Sequence, residues 1–253
     1  LFRSATSFVR GGVEMEATLH EMMSIGPEDQ PLKIRVFFDE MGVKIHWLRV
    51  PEAYRISVPS EKIDITLHAG IETMAKEIDA KYPGTYAEVK RLMDLCATVY
   101  ASVNVLSVHP MSKPMMLLKH NAFVRTCGYS AKEVMDTFKL PKEVKDILSA
   151  YWIYVGNKIS DLPFTVYAVL MADYFEGGSY VCEHFSFEMA LAMAKRCEEL
   201  GVQTEYRQEV SKILVKNGHV YGVRTKRGDE IHADYVSCSA YPNTCYAKMI
   251  EPE

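Results

Sequence analysis

Two histidine–carboxylate pairs are the first places where residue type and spacing could do chemistry. His68 and Glu72 lie four positions apart, as do His184 and Glu188, so a helix would put each pair on one face as two ligands for a metal. Metal binding asks for three or four such groups, and neither an H-E-x-x-H string nor a further cluster completes either pair. A solvated ion pair accounts for both better, and no metal is expected. The six cysteines (Cys96, Cys127, Cys182, Cys197, Cys238 and Cys245) include no C-x-x-C pair and no zinc spacing. They read as buried, reduced thiols of an intracellular protein. No G-x-S-x-G elbow marks a serine nucleophile. What is left is backbone: Gly177 and Gly178, side by side, where the chain can approach a ligand or start a strand.

The elements around that glycine pair are legible. After Ser179-Tyr180-Val181, a helix is expected from Phe185 to Leu200, with Phe187, Leu191, Ala194 and Leu200 on one buried face and Gly201 ending it. Gly201–Thr204 should resume extended chain. Glu209–Val215 alternates with period two, and Asn217-Gly218 favours a tight hairpin turn, pairing Val210–Val215 antiparallel with Val220–Thr225. Gly228-Asp229 turns the chain again into a strand over Glu230–Ser237. Upstream, Lys44–Val50 and Tyr54–Val58 are strand-like, and Ser60 should cap a helix running towards Lys81. Thr85 caps a helix with Val89, Leu92, Met93, Cys96 and Val99 inward. Helices follow over Pro114–Arg125, Ser130–Phe138 (capping box Ser130, Glu133), Pro141–Tyr154 and Leu162–Tyr174. Met115, Met116, Leu117, Leu118, Phe123, Trp152, Tyr167 and Met171 could line an apolar tunnel, although such residues at helical spacing are more often core.

The string from Gly177 to Pro242, GGSYVCEHFSFEMALAMAKRCEELGVQTEYRQEVSKILVKNGHVYGVRTKRGDEIHADYVSCSAYP, resembles the middle of the flavin-dependent phytoene desaturase, carotenoid isomerase and retinol saturase family. There a helix, an "xV" strand, a G-x-V strand and an "AD-x-V" strand lead to a "SNA-x-P" turn. Ala5–Phe8, Gly11–Glu16 and His20 resemble the stretch just after that family's dinucleotide fingerprint. The resemblance implies FAD as cofactor. It implies a backbone contact from Val210 to the adenine edge, contacts from Gly177 and Gly178 to flavin or substrate, and His20 near the flavin ring or the substrate mouth. The implied fold is α+β, mixed α/β. Residues 1–26 and 176–253 would form a partial FAD-binding half, a helix plus a three-stranded β-meander. Residues 27–175 would form a helix-rich substrate domain on a small antiparallel sheet. No G-x-G-x-x-G occurs among the fourteen glycines, so the expectation is a fragment without the pyrophosphate turn, inactive alone. Phe2-Arg3 and His184-Phe185-Ser186 stand where the family usually has glycines, and their bulk would crowd a flavin or alter its seat.

With 253 residues and 48% hydrophobic content the chain can bury a sizeable core. A net charge of −4 with dispersed basic residues argues against nucleic acid. No apolar run reaches the roughly twenty residues that span a bilayer, so a cytoplasmic location is expected, with peripheral membrane contact left open by the apolar substrate. Strand edges unpaired by a missing fingerprint strand would favour self-association. Three functions follow. The leading one is an FAD-dependent oxidoreductase acting on carbon–carbon bonds of an apolar polyene or retinoid-like substrate. The others are an amine-oxidase-like flavoenzyme and a cofactor-free domain that binds an apolar ligand or a protein.

Overall fold

The computed structural model describes residues 5, 7–17, 19 and 21–250; the expectations placed on Phe2, Arg3 and His20 lie outside them. The described residues divide into two compact units, one over 5–192 and one over 193–250.

The larger unit begins with a hairpin, β1 (Ser7–Arg10) and β2 (Val13–Glu16), followed by α1 (Lys33–Glu40). Next come β3 (Trp47–Val50), β4 (Glu52–Val58) and β5 (Ile63–His68), then α2 (Ile71–Lys81) and the long α3 (Tyr86–Val108). Short helices follow: α4 (Lys113–Lys119), α5 (Asn121–Thr126), α6 (Ala131–Asp136), α7 (Lys142–Leu148) and α8 (Trp152–Val155). α9 (Phe164–Ala172) runs directly into a wide π-helical turn, Asp173–Gly177, and then β6 (Ser179–Cys182). β3 pairs antiparallel with β6, and β4 with β5. The helix expected from Ser60 is corrected here. Ile63, Ile65 and Leu67 are buried while Asp64 is exposed, a period of two that β4 captures through its ladder, Ile56 opposite Ile65. Only a single 3₁₀ turn, Pro59–Glu61, forms around Ser60, and the α-helix begins at Ile71, after Gly70. His68 therefore ends a strand and does not share a helix face with Glu72; its Nδ1 lies 2.7 Å from Glu77 Oε1.

Core packing runs from the β4–β5 sheet through α2 and α3 to α6, α7 and α9. The five inward positions expected of α3 are all fully buried, and Ile63, Leu67, Met74, Ile78, Ile147, Leu148, Phe164 and Tyr167 join them. Ser130 and Glu133 form the expected capping box. His120 divides the helix expected over Pro114–Arg125, because α4 ends there and α5 starts anew. Of the tunnel candidates, Tyr167 and Met171 are core, whereas Met115, Leu117, Leu118 and Trp152 are exposed.

The division between units falls within α10 (Phe185–Glu199). In the smaller unit, β7 (Val210–Lys216), β8 (His219–Thr225) and β9 (Glu230–His232) form an antiparallel meander, followed by α11 (Pro242–Thr244) and a second π-helical turn. Asn217 and Gly218 turn β7 into β8 with φ of +52° and +73°, as the hairpin signal requires. Four expectations fail. The apolar face of α10 is not buried: Leu191 is 52% and Leu200 65% exposed, and Ser186 and Ala190 are the buried positions instead. Residues 202–204 form no strand, having no partner strand among the described residues. β9 stops at His232, beyond which 233–237 is largely exposed. Nor are all the thiols buried, since Cys127, Cys197 and Cys238 are exposed.

Candidate functional site

Gly177 and Gly178 sit in the larger unit where α9, β6 and the segment before α1 converge. The apolar helix α9 carries an acid at its end, and the wide turn that follows buries it: Asp173 is only 3% exposed. A carboxylate so placed needs partners. Ser24 supplies them, its backbone N–H donating to Asp173 Oδ1 at 3.2 Å and its hydroxyl donating to Oδ2. To do so Ser24 adopts φ +61°, sparsely populated for a residue with a side chain. The clamp fixes the segment from Glu21 to Gly26, which also pairs with β6 through reciprocal Met22 and Tyr180 backbone bonds of 2.8 and 2.9 Å.

Beyond the acid, Tyr174 and Phe175 enter an aromatic wall. Tyr151 stacks on Tyr174 at 4.6 Å and 23°, and Tyr154 on Tyr174 at 5.7 Å and 18°. Tyr54 meets Tyr151 edge-on at 4.9 Å and Phe175 at 6.0 Å. The deeper hydroxyls are satisfied by backbone: Tyr54 donates to Ile147 O at 2.7 Å and Tyr151 to Ala53 O at 3.1 Å. A cavity of about 330 Å³ opens on this wall, lined by Glu21, Tyr54, Tyr151, Trp152 and Tyr154 among others. Burial pushes the phenols of Tyr54, Tyr151 and Tyr174 far above their ordinary value, and Tyr154 to about 12; the nearby Glu21 charge adds to the rise for Tyr151, Tyr154 and Tyr174. All four rings therefore stay neutral at any physiological pH. The arrangement can stack a flat apolar molecule and exclude water. Ionised phenols have no part in it.

The two glycines have a definite local reason. A Cβ on Gly177 would meet Leu32 Cδ1 at 2.9 Å and Asp173 Oδ1 at 3.1 Å, and one on Gly178, at φ +76°, would meet Arg49 Nε at 3.2 Å. The space they keep open is taken by this chain's own side chains. Val210 lies in the smaller unit. Lys226 N–H donates to Glu209 O at 2.8 Å and Thr225 N–H to Asp229 O at 2.9 Å. Val210 and Thr225, opposite each other, are thus a non-hydrogen-bonded pair, and Val210 turns its N–H and C=O to the outer edge of β7. Two residues away, Gln208 Oε1 is buried without a partner among the described residues. Glu188 binds the backbone, accepting from His46 N–H at 3.1 Å and His184 N–H at 3.0 Å. Among the described residues no group of three or more His, Cys, Asp or Glu could hold a metal.

Residues 69–253 match the model of the family described as flavin containing amine oxidoreductase. The chain belongs to this family. A similar fold is seen in the crystal structure of an oxidoreductase from Methanosarcina mazei, TM-score 0.58 at 16% identity, covering 91% of this chain and 49% of that one. Among curated members, the chain is 30% identical to a 4,4'-diapolycopene oxygenase of Methylomonas sp over 68% of its own length and 36% of the relative's. It is 21% identical to the chloroplastic prolycopene isomerase of Daucus carota over 84% and 36%. These members bear out the resemblance to carotenoid-acting flavoproteins, and the chain spans little more than a third of their length. Sequence reasoning missed Asp173, Ser24, Glu21 and the stacked tyrosines. A signal for one of them existed: Asp173 is the acid that closes a helix otherwise free of charge.

Proposed function

We propose that this chain is the substrate-side region, with part of the cofactor-side sheet, of an FAD-dependent oxidoreductase acting on carbon–carbon bonds of an apolar polyene or retinoid-like molecule. The observation that carries the reading is the aromatic wall: stacked, neutral tyrosines over a cavity of about 330 Å³. Such faces suit a flat conjugated chain and offer it no charge.

Residues 1–26 and 176–253 are assigned to the FAD domain in this reading and 27–175 to the substrate domain. Val210 would accept from and donate to the adenine edge with its outward backbone groups, which fits the geometry of β7. Gly177 and Gly178 would shape the turn that sets Tyr174 and Phe175 behind the cavity-lining Tyr151 and Tyr54. His20, the sequence neighbour of the cavity-lining Glu21, is assigned to the substrate mouth on the resemblance. When bound, flavin supplies hydride acceptance or donation at N5. This chain's own residues stack the substrate, keep water out and hold the Glu21–Gly26 segment through Asp173. Self-association through the outer edge of β9 and the exposed face of α10 belongs to the same reading, as does peripheral membrane contact through Met115, Leu117 and Leu118, exposed between Lys113 and Lys119. No helix among the described residues is long and apolar enough to cross a membrane.

The test is flavin absorbance of the complete gene product after incubation with excess FAD, followed by polyene and amine substrates under anaerobic conditions. Bound FAD bleached or turned over by a polyene supports the proposal; turnover of amines alone favours an amine-oxidase-like activity. A protein that takes up no flavin sinks both. The cofactor-free binding domain would then lead, a reading favoured by the way Leu32 and Arg49 fill the space beside the two glycines.

A further inference from the structure

A larger hollow, about 950 Å³, opens elsewhere in the helical unit among α3, α5 and α6, within the usual size of small-molecule sites. Its walls include Leu95, Val124, Val134 and Phe138. Two threonines there turn their hydroxyls back into their own helices, Thr126 donating to Ala122 O at 2.8 Å and Thr137 to Val134 O at 2.7 Å. Those protons are therefore already given to the helix backbone.

The charged groups of the lining are engaged, with one exception. Glu133 accepts from Ser130 N–H and hydroxyl, both at 2.8 Å, in the cap of α6. Arg91 donates to Glu88 Oε2 at 2.9 Å and lies 4.7 Å over the Phe138 ring. Arg125, in the last turn of α5, has no acceptor among the described residues. Asn121 and the Tyr129 hydroxyl add neutral hydrogen-bonding groups to the same lining.

We infer that this hollow binds an apolar chain ending in a carboxylate, with the chain over Leu95, Val134 and Phe138 and the carboxylate on Arg125. A guanidinium is the group suited to a carboxylate, meeting both oxygens with two parallel N–H donors. One unpaired guanidinium balances one such charge. The site does not depend on flavin or on any redox step, so it stands or falls separately from the function proposed above.

A polyene fatty acid whose fluorescence rises on leaving water is the probe, titrated into the purified chain. Saturable binding with one molecule per chain is expected. Arg125→Gln should weaken it by about tenfold, the usual worth of a charge-assisted bond, and the methyl ester should bind the native chain as weakly as the acid binds that variant. Arg125→Lys should recover part of the loss. Ala122→Trp, which fills the hollow, should remove binding while the helical circular dichroism is kept. No saturable binding overturns the inference, as does an ester that binds like the acid. Native affinity in Arg125→Gln also overturns it, because the probe then sits elsewhere.

Discussion

The helical unit and the β-meander hold together differently. In the first, α3 and α9 pass through the interior and side chains far apart in sequence, such as Leu67, Leu92, Ile147 and Phe164, are fully buried together. In the second, local signals set the geometry: an Asn-Gly turn, a Gly-Asp turn and a ladder of near neighbours. Its buried apolar residues are few, with Ile213, Leu214 and Cys245 the ones described. Strand pairing can thus be fully specified by turns while little is buried.

The sharpest way to break this comparison is to make the same truncation in both units. Leu92→Ala should cost about 3 kcal/mol, typical of a leucine deleted from a close-packed core. Leu214→Ala, in the thinner packing of β7, should cost about half of that lower-end figure. Urea unfolding followed by circular dichroism, with hydrogen exchange to separate the units, reads both values. Equal costs would mean that the meander is packed as the helical unit is.

A smaller effect is expected at Asp173. Replacing it with Ala leaves the Ser24 N–H and hydroxyl buried without their acceptor and should cost about 2 kcal/mol; Asp173→Asn should recover part of it. Protease susceptibility of the chain just before α1 should rise in the alanine variant. An unchanged cleavage pattern would show that β6 pairing alone holds the segment.

The smallest effect is read by thiol chemistry. Burial, then the charges of Glu188 and Glu16, push the Cys182 thiol up to about 12, and burial raises Cys96 further. At pH 8.5 an alkylating reagent should modify the exposed Cys127 and Cys197 and spare Cys96 and Cys182. A thiol whose folded pKa is raised contributes stability that is complete below its unfolded value. That contribution is lost as pH rises from about 8.5, where the unfolded chain starts to release the proton the folded chain keeps. A slow fall in midpoint above pH 9, smaller in Cys96→Ala than in the native chain, is the signature.

Much of the fold was legible where one local signal decides it. The Asn217-Gly218 turn, the Ser130–Glu133 capping box and the inward stripe of α3 needed no knowledge of distant chain. β5 was not legible, because Ser60 and Asp64 carry helix-start chemistry and only the pairing partner Tyr54–Val58 selects the alternating reading. The stripe of α10 misled for a related reason: periodicity says which side chains share a face, while burial depends on what covers it. Of the candidate site, the glycine pair was visible as sequence. The tyrosines that meet beside it come from β4, the α7–α8 region and the wide turn after α9, and only packing brings them together.

The wide turn at the end of α9 also acts as a phase shifter. In an α-helix each residue advances by a fixed angle, so a run of six inward-facing side chains must look around the whole circumference. From Leu170 to Phe175 every residue is buried, and the extra residue accommodated by a π-helical turn resets that angle midway. Tyr174 and Phe175 consequently point where an unbroken helix would have aimed neighbours of different size. Deleting one residue there would rotate everything downstream, the glycine pair and β6 included, out of register with Trp47–Val50.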